Sequence, residues 1–304
     1  MYDNIEFVIC AAGECSRNFP HTKGIPHKAL LPMGDKRLID YPLQDIVRIG
    51  GRHITFVCSS QKVIDDFKRA LATDTITEEK LRTKGRADIA DILRSTFLPD
   101  DIDLKFVIQK EPLGTAHVLY EARDAIQDRH AVLIFPDDLV LSHNPQCPHM
   151  KKLLDTFLKD PKKVLCTAIW REDVRTNAIL QDNRLIEKPL NPTSHTAAMS
   201  PNVLPNEIIQ FLVKQAPAKI KDARASHKEW FYADVVNDFL DQGGEADGFG
   251  IEFYLLDDEN QFLDTGNLML YELCSIQVLL QQSQYAAQNR EWAQKLLSII
   301  NNHE

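Results

Sequence analysis

Two cations stand close behind a stretch that reads as a buried strand. Ile5, Phe7, Val8, Ile9 and Cys10 are nearly all apolar, and the small-residue run Ala11-Ala12-Gly13-Glu14-Cys15-Ser16 leads straight to Arg17. Lys28 follows, opening Lys28-Ala29-Leu30-Leu31-Pro32. Small residues let a backbone approach a ligand closely, and Arg and Lys neutralise phosphate charge. The pattern predicts a loop that cradles a nucleoside triphosphate beside the first strand. A dinucleotide fingerprint does not fit, because Gly13 is alone of the three glycines required and the next clear helix begins only near residue 38.

Further groups suit the same ligand. Asp137-Asp138 closes the apolar run Ala131-Val132-Leu133-Ile134-Phe135-Pro136. Consecutive side chains on an extended segment point to opposite sides, so one carboxylate can face a site and the other the scaffold. A carboxylate beside a triphosphate suits Mg2+, which takes one or two carboxylates plus phosphate oxygens. Gln109 opens Gln109-Lys110-Glu111-Pro112-Leu113-Gly114-Thr115-Ala116-His117 and carries the donor and acceptor that reading a pyrimidine edge requires. Gly114 would permit close approach to a flat base, although Pro-x-Gly before a helix is also ordinary punctuation. His117 reads as a helix-face residue. Glu187-Lys188-Pro189 can hold sugar hydroxyls and a phosphate, or form a surface ion pair. Asp234 opens a helix and Asp264-Thr265-Gly266 closes a strand; each equally fits a cap or turn.

Periodicity places these groups on elements. A strand at 5–10 leads to a helix near 38–49, where Ile39, Leu43, Ile46 and Val47 share a face and Gly50-Gly51 end it. A strand over 53–58 precedes a helix over 61–71 with Val63, Ile64, Phe67 and Leu71 inward. Residues 73–100 form a charged insertion with one short helix around Ile89, Ile92 and Leu93. A strand at 104–109, a helix at 115–126 and a strand at 131–136 complete an order that argues for a mostly parallel sheet with helices on both faces. Ligands bind at the carboxyl ends of such strands, here just before Gly13, Ser59, Gln109 and Asp137.

The second half is mixed. Val164–Trp170 reads as a strand, and Ile179-Leu180 and Leu185-Ile186 flank Asp182-Asn183 as a hairpin. Helices are expected at 206–214 and 229–241, strands at Phe249–Leu256 and Phe262-Leu263, and one or two amphipathic helices over 267–300. With no repeat or Pro/Gly-rich linker, the chain is expected to form one domain over 1–304, divided into 1–140, 141–266 and C-terminal helices 267–304.

Composition narrows the partners. A chain of 304 residues buries a full core. No apolar run reaches the roughly 18 residues of a membrane span, and Met1-Tyr2-Asp3-Asn4 does not read as a signal peptide. A formal net charge of −9 disfavours broad nucleic-acid binding but not a small anion met by a few converging cations. Six cysteines, Cys10, Cys15, Cys58, Cys147, Cys166 and Cys274, form no Cys-x-x-Cys pair; three fall in expected strands. Reduced thiols and a cytoplasmic location follow, and a zinc site has little support.

In this order, the segments resemble the bacterial UTP–glucose-1-phosphate uridylyltransferases, or UDP-glucose pyrophosphorylases. The matching stretches are Ala11-Ala12-Gly13, Ser16-Arg17, Thr22-Lys23-Gly24-Ile25-Pro26, Lys28–Pro32, Asp35–Ile39, Gln109–Gly114, Ala131–Leu139, Glu187-Lys188-Pro189, Glu229–Asp234 and Asp264-Thr265-Gly266. The resemblance implies an α/β, Rossmann-like nucleotide-diphospho-sugar transferase fold, a mostly parallel mixed sheet flanked by helices. Residues 1–140 would bind nucleotide and 141–266 the sugar phosphate. Ala12, Gly13 and the loop to Arg17 would hold nucleoside and phosphates, with Arg17 and Lys28 neutralising the triphosphate. Gln109 and Gly114 would read uracil, and Asp137 would carry Mg2+. Glu187, Ala178 and Lys188 would bind the sugar and its phosphate, with Asp234 a further sugar-side group or metal contact. The partners implied are UTP and glucose 1-phosphate, in a homo-oligomer (dimer or tetramer), with no nucleic acid and no membrane.

Three positions depart from that family's pattern. Its loop reads Gly-x-Gly-Thr-Arg, whereas this chain has Cys15 and Ser16 at the second Gly and the Thr. His27 is an extra residue between Pro26 and Lys28, and Asn177-Ala178 replaces Tyr-Gly before the hairpin. The Cys15 sulfur is expected to crowd the phosphates, His27 to shift Lys28, and Asn177-Ala178 to alter the choice of sugar. Two other readings stay open. One is a related nucleotidyltransferase for another nucleotide or sugar phosphate. The other is a weakly active regulatory paralogue, against which Lys28, Asp137 and Lys188 together argue.

Overall fold

The computed structural model describes residues 2–25, 27–144 and 146–301; Met1, Pro26 and the end of the 267–304 segment lie outside the described residues. In chain order the first half holds β1 (Ile5–Ala11), the short hairpin β2 (Pro32–Met33) and β3 (Lys36–Arg37), α1 (Asp40–Ile49), β4 (His53–Cys58), α2 (Gln61–Leu71), α3 (Thr75–Thr83), α4 (Ala87–Arg94), β5 (Asp103–Ile108), α5 (Thr115–Glu121), α6 (Arg123–Ile126) and β6 (His130–Ile134). The second half holds β7 (Asp138–Ser142), α7 (His149–Phe157), β8 (Lys163–Trp170), β9 (Ala178–Gln181), β10 (Arg184–Glu187), β11 (Thr196–Leu204), α8 (Asn206–Ser226), α9 (Tyr232–Phe239), β12 (Gly250–Leu255), β13 (Asn260–Asp264), α10 (Leu268–Gln281) and α11 (Ala286–Asn301).

Strand β1 is buried on both faces because it lies inside the sheet, and its one charged residue, Glu6, accepts there from the Thr55 hydroxyl at 2.6 Å. It pairs in parallel with β4 and β6, and β4 pairs in parallel with β5. Its alternate residues serve two layers. Val8 joins Leu133, Cys166 and Leu204 beneath α5, α8 and α9, while Phe7 and Ile9 join Val132 and Leu165 beneath α1, α2 and α7. On α2, Val63, Ile64, Phe67 and Leu71 are buried at helical spacing, each contributing about 1.5–3 kcal/mol. The helix occupies the residues its pattern predicted.

The sheet forks beyond β6. Strand β11 runs antiparallel to β6 over Asn202–Leu204. Its register shifts between Met199 and Asn202, and its first half takes β9 as neighbour through Ala197 and Ala198. Strand β8 pairs along β11, and β12 adds in parallel to β8. A register shift of this kind re-aims a strand. Here it parts β11 from the end of β6 and opens a cleft there.

Several elements differ from expectation. Strand β11 is unannounced because Ser200-Pro201-Asn202 interrupts its apolar run, and proline is tolerated in a sheet at such an irregularity. Helix α7 is not among the expected elements, although Met150, Leu153, Leu154 and Phe157 carry helical spacing. The charged insertion folds as two helices, joined where Glu78 accepts from both Arg82 and Arg94. Strand β6 ends at Ile134, before Pro136, and Asp138 begins a separate strand paired with β13. The helix at 115–126 breaks into α5 and α6. Helix α8 extends to Ser226, its buried face continuing through Ala216, Ile220 and Ala223. The next helix begins only at Tyr232. Among the described residues no helix is long and apolar enough to cross a membrane.

Candidate active site

A cleft of about 400 Å3 lies at the fork, beyond the carboxyl ends of β1 and β6. Gly13, Gln109 and Asp137 line it; Ser59, also just past a strand end, does not. Ala12, Arg17, Lys28, Gly114, Ala178 and Glu187 line it too, so the structure brings together nine of the eleven residues singled out in the sequence. A Cβ at Gly13 would meet nothing within 4 Å. Its smallness therefore serves no internal packing and leaves space for a ligand.

Lys28 Nζ donates to Asp137 Oδ2 in the cleft. The Asp137 carbonyl accepts from the backbone N–H and the hydroxyl of Thr265, both at 2.9 Å. Asp138 lines the cleft as well, and its Oδ2 accepts from the Ser200 N–H at 3.1 Å. Burial first, and then the charge of Asp137, raise the Asp138 pKa. Both carboxylates therefore reach the cleft wall, and Asp138 in addition ties it to β11 through Ser200.

Asp264 completes this end of the site. Its Oδ2 accepts from Arg171 at 3.0 Å and its Oδ1 from the Gly266 N–H at 2.9 Å. A Cβ at Gly266 would lie 3.0 Å from Asp264 Oδ1, 3.6 Å from Asp137 Oδ2 and 4.0 Å from an Arg17 guanidinium nitrogen. Two carboxylates and a cation therefore flank one spot that glycine leaves empty. Among the described residues no group of three or more His, Cys, Asp or Glu is arranged to hold a metal. Two hard oxygen donors nonetheless fit Mg2+, which usually keeps phosphates and water as its remaining ligands. Sequence reasoning read Asp264 as a turn residue and passed over Arg171; the signal was the Asp-Thr-Gly strand end.

Two departures prove harmless to this geometry. Cys15 has φ 57°, the left-handed conformation that favours glycine. Its Sγ faces back into the loop, 3.4 Å from the Gly13 carbonyl, and accepts from the Lys28 N–H at 3.3 Å. Cys15 does not line the cleft, so the expected crowding of the phosphates is corrected. His27 caps the turn that carries Lys28, its Nδ1 accepting from the Ala29 N–H at 3.1 Å. Burial, reinforced by Lys28, lowers its pKa to about 4. The imidazole is thus neutral, as this cap requires, and Lys28 still reaches the cleft.

At the opposite end, the Gln109 amide nitrogen donates to the Gly114 carbonyl at 3.2 Å and lies 3.1 Å from His117 Nδ1. His117 Nε2 is 3.0 Å from Glu121 Oε1. His117 Nδ1 also lies 3.2 Å from the Glu111 carbonyl, which can only accept. The Gln109 side chain is thus held from inside the protein at the cleft wall. Gly114 has φ 99°, and a Cβ there would lie 2.4 Å from the Trp230 carbonyl oxygen. Protein backbone, not only a ligand, demands this glycine.

The hairpin supplies the remaining wall. Asp182 and Asn183 both take positive φ, as a two-residue turn of this kind requires. Glu187 faces Ala178 across the hairpin, and Ala178 faces Ala198 of β11. Burial raises the Glu187 pKa to about 7. Lys188 sits at the rim, donating to Glu229 at 3.2 Å with its ammonium 4.6 Å from the centre of the Phe231 ring. Both partners line the cleft, although Lys188 does not. Asp234 is not brought in either. It caps α9 by accepting from the Phe231 N–H at 2.9 Å and lines a separate surface hollow.

A forked, mostly parallel sheet with paired carboxylates and phosphate-ready cations at its strand ends is the architecture of a nucleotide-transferring enzyme. Residues 6–272 match the family model for Nucleotidyl transferase, and the chain belongs to that family. It is 27% identical over 277 residues to the UTP–glucose-1-phosphate uridylyltransferase of Staphylococcus epidermidis, covering 83% of this chain and 93% of that one. It is 28% identical over 223 residues to uridylyltransferase 2 of Staphylococcus saprophyticus, covering 68% and 74%. The fold superposes on a UDP-glucose pyrophosphorylase from Acinetobacter baumannii with a TM-score of 0.77 at 18% identity, covering 96% of this chain and 99% of that one. The UTP-bound form from the same organism gives a TM-score of 0.75 at 18% identity, covering 96% and 98%.

Proposed function

We propose that this protein transfers a uridylyl group from UTP to glucose 1-phosphate, giving UDP-glucose and pyrophosphate, with Mg2+ as cofactor. The observation that carries the reading is the meeting of Lys28, Asp137, Asp264 and Arg17 around the opening at Gly266, between Gln109 at one end and the Glu187–Ala178–Ala198 row at the other.

An oxygen of the sugar phosphate attacks the α-phosphorus of UTP, a new P–O bond forms, and the bond to pyrophosphate breaks. The attacking oxygen is already anionic near neutral pH, so no protein base is needed. Catalysis is then positioning and charge neutralisation. Lys28 and Arg17 neutralise the triphosphate as charge moves toward the leaving group, and Lys188 meets the incoming phosphate at the rim. The Gln109 amide reads the pyrimidine edge, and Glu187 accepts from sugar hydroxyls. Mg2+ held by Asp137 and Asp264 would screen the repulsion between nucleotide and sugar phosphates.

The same reading places the enzyme in the cytoplasm as a homo-oligomer, a dimer or tetramer. Exposed Met269, Leu273 and Ile276 on α10 and Trp292, Leu296 and Leu297 on α11 support assembly through these helices. Light scattering of the purified protein tests this, and a monomer at all concentrations overturns it.

Pyrophosphate release with UTP, glucose 1-phosphate and Mg2+, beside other nucleotides and galactose 1-phosphate, tests the reaction. Release confined to UTP and glucose 1-phosphate supports it. UTP binding without release from any pair favours a regulatory paralogue.

A further inference from the structure

A second hollow, of about 360 Å3, shares no lining residue with the cleft. Its size falls in the range of small-molecule sites, roughly 300–1,000 Å3. Helix α1 supplies one side, and the segment 95–98 after α4 supplies the other. Leu43 and Val47, one helical turn apart on α1, and Phe97 and Leu98 opposite give it an apolar surface. Leu43 is buried and the other three are half-buried.

The polar groups of this hollow are unevenly spent. Asp40 is fully engaged, its Oδ2 accepting from the Arg37 N–H at 2.8 Å and Nε at 2.9 Å, and its Oδ1 from Nη2 at 2.7 Å. The Ser95 and Thr96 hydroxyls donate back to the Ile92 and Leu93 carbonyls, both at 2.7 Å. Lys36 Nζ donates to Gln44 Oε1 at 2.8 Å and lies 5.2 Å from the centre of the Tyr41 ring, and Arg48 Nη1 donates to Asp45 Oδ1 at 3.3 Å. The other N–H groups of Lys36 and Arg48, and those of the Gln44 amide, have no protein partner among the described residues. Burial first, and then the charge of Arg48, lower the Lys36 pKa, against the pull of Asp35, Asp40 and Asp45. Two cations thus repel across an apolar hollow whose carboxylate is already taken, and an anion between them relieves that repulsion.

We infer that this hollow is a second ligand site, for a small phosphomonoester whose apolar ring lies against Leu43, Val47, Phe97 and Leu98 and whose phosphate is held by Lys36 and Arg48. A phosphate suits the donors better than a carboxylate, because three side chains offer N–H groups and a phosphate brings three terminal oxygens. Neither the cleft nor the reaction proposed above enters this assignment.

Phenyl phosphate is the probe, with inorganic phosphate and benzyl alcohol as its two halves. Methyl NMR of the full chain should show the Leu43, Val47 and Leu98 signals moving with phenyl phosphate, and either half alone should need at least about tenfold higher concentration. Arg48→Gln and Lys36→Gln should each weaken phenyl phosphate at these methyls by at least about tenfold, whereas Lys28→Ala should leave it unchanged. The Arg48 side chain is 44% exposed, so its variant should keep the wild-type melting temperature and its loss of binding is local. Methyl signals that stay still, or that respond alike with and without the two cations, overturn the inference. Binding abolished by Lys28→Ala also overturns it, since the phosphate then sits in the cleft. None of these results bears on turnover of UTP, so the proposed reaction stands or falls separately.

Discussion

Lys28 and Asp137 lie 109 residues apart and share a hydrogen bond inside the cleft, the ammonium of one held against the carboxylate of the other. Both side chains are mostly buried, at 12% and 17% exposure, so each is an uncompensated charge without its partner. The pair holds in register the two groups to which the proposed reaction gives the triphosphate and the metal.

Lys28→Ala should lower turnover by at least about tenfold, the usual cost of removing a contact made to the charge that moves in the transition state. Asp137→Asn should abolish metal-dependent turnover while leaving UTP binding measurable. Steady-state pyrophosphate release and calorimetric titration with UTP read the two effects separately; near-normal turnover of either variant would remove that residue from the mechanism.

Gly266→Ala puts a methyl 3.0 Å from Asp264 Oδ1 and 3.6 Å from Asp137 Oδ2. The fold should survive, because Gly266 has no positive φ and the methyl enters open cleft. The Mg2+ concentration for half-maximal activity should rise several-fold. An unchanged metal titration would mean that these two carboxylates do not share the ion.

Glu187 sets a pH dependence. Burial raises its carboxyl pKa from 4.5 to about 7. The folded state therefore holds this proton more tightly than the unfolded chain. The resulting stability is complete below about 4.5 and is lost as pH rises through about 7, with a slope of at most about 1.4 kcal/mol per pH unit. Urea titrations of the unliganded protein should show that slope, and Glu187→Gln should flatten it. Lys188, Glu229 and Asp234 are the charged groups that bear on this carboxyl.

Cys15→Gly relieves the left-handed backbone but removes the acceptor of the Lys28 N–H. Because the sulfur faces away from the cleft, turnover should stay within a few-fold of wild type. A large gain would mean that the sulfur obstructs the phosphates after all.

Local patterns carried much of the architecture into the sequence. The 5–11 and 53–58 strands and the 61–71 helix were readable because apolar periodicity is a local property that tertiary packing then satisfies. Asp182-Asn183 announced its hairpin because the turn's chemistry sits in the turn itself. Ala12, Gly13, Gln109 and Asp137 were legible because they follow strand ends, where an open α/β sheet binds its ligands, and Arg17 and Lys28 because they are the cations of the loop after β1.

What lay beyond reach depended on partners distant in the chain. The fork in β11 arises where one strand changes neighbours from β6 to β9, and no local pattern records a neighbour. Asp264 and Arg171 enter the site only because β13 pairs with β7 beside Asp137. Asp234 stays outside because capping α9 consumes its carboxylate. The sequence by itself determined which chemistry was available and on which strand ends it would sit, since composition and periodicity act over a few residues. Only the tertiary structure decided which charges meet, which are spent on caps, and that Lys36 and Arg48 border one hollow, because pairing, burial and desolvation are properties of the assembled fold.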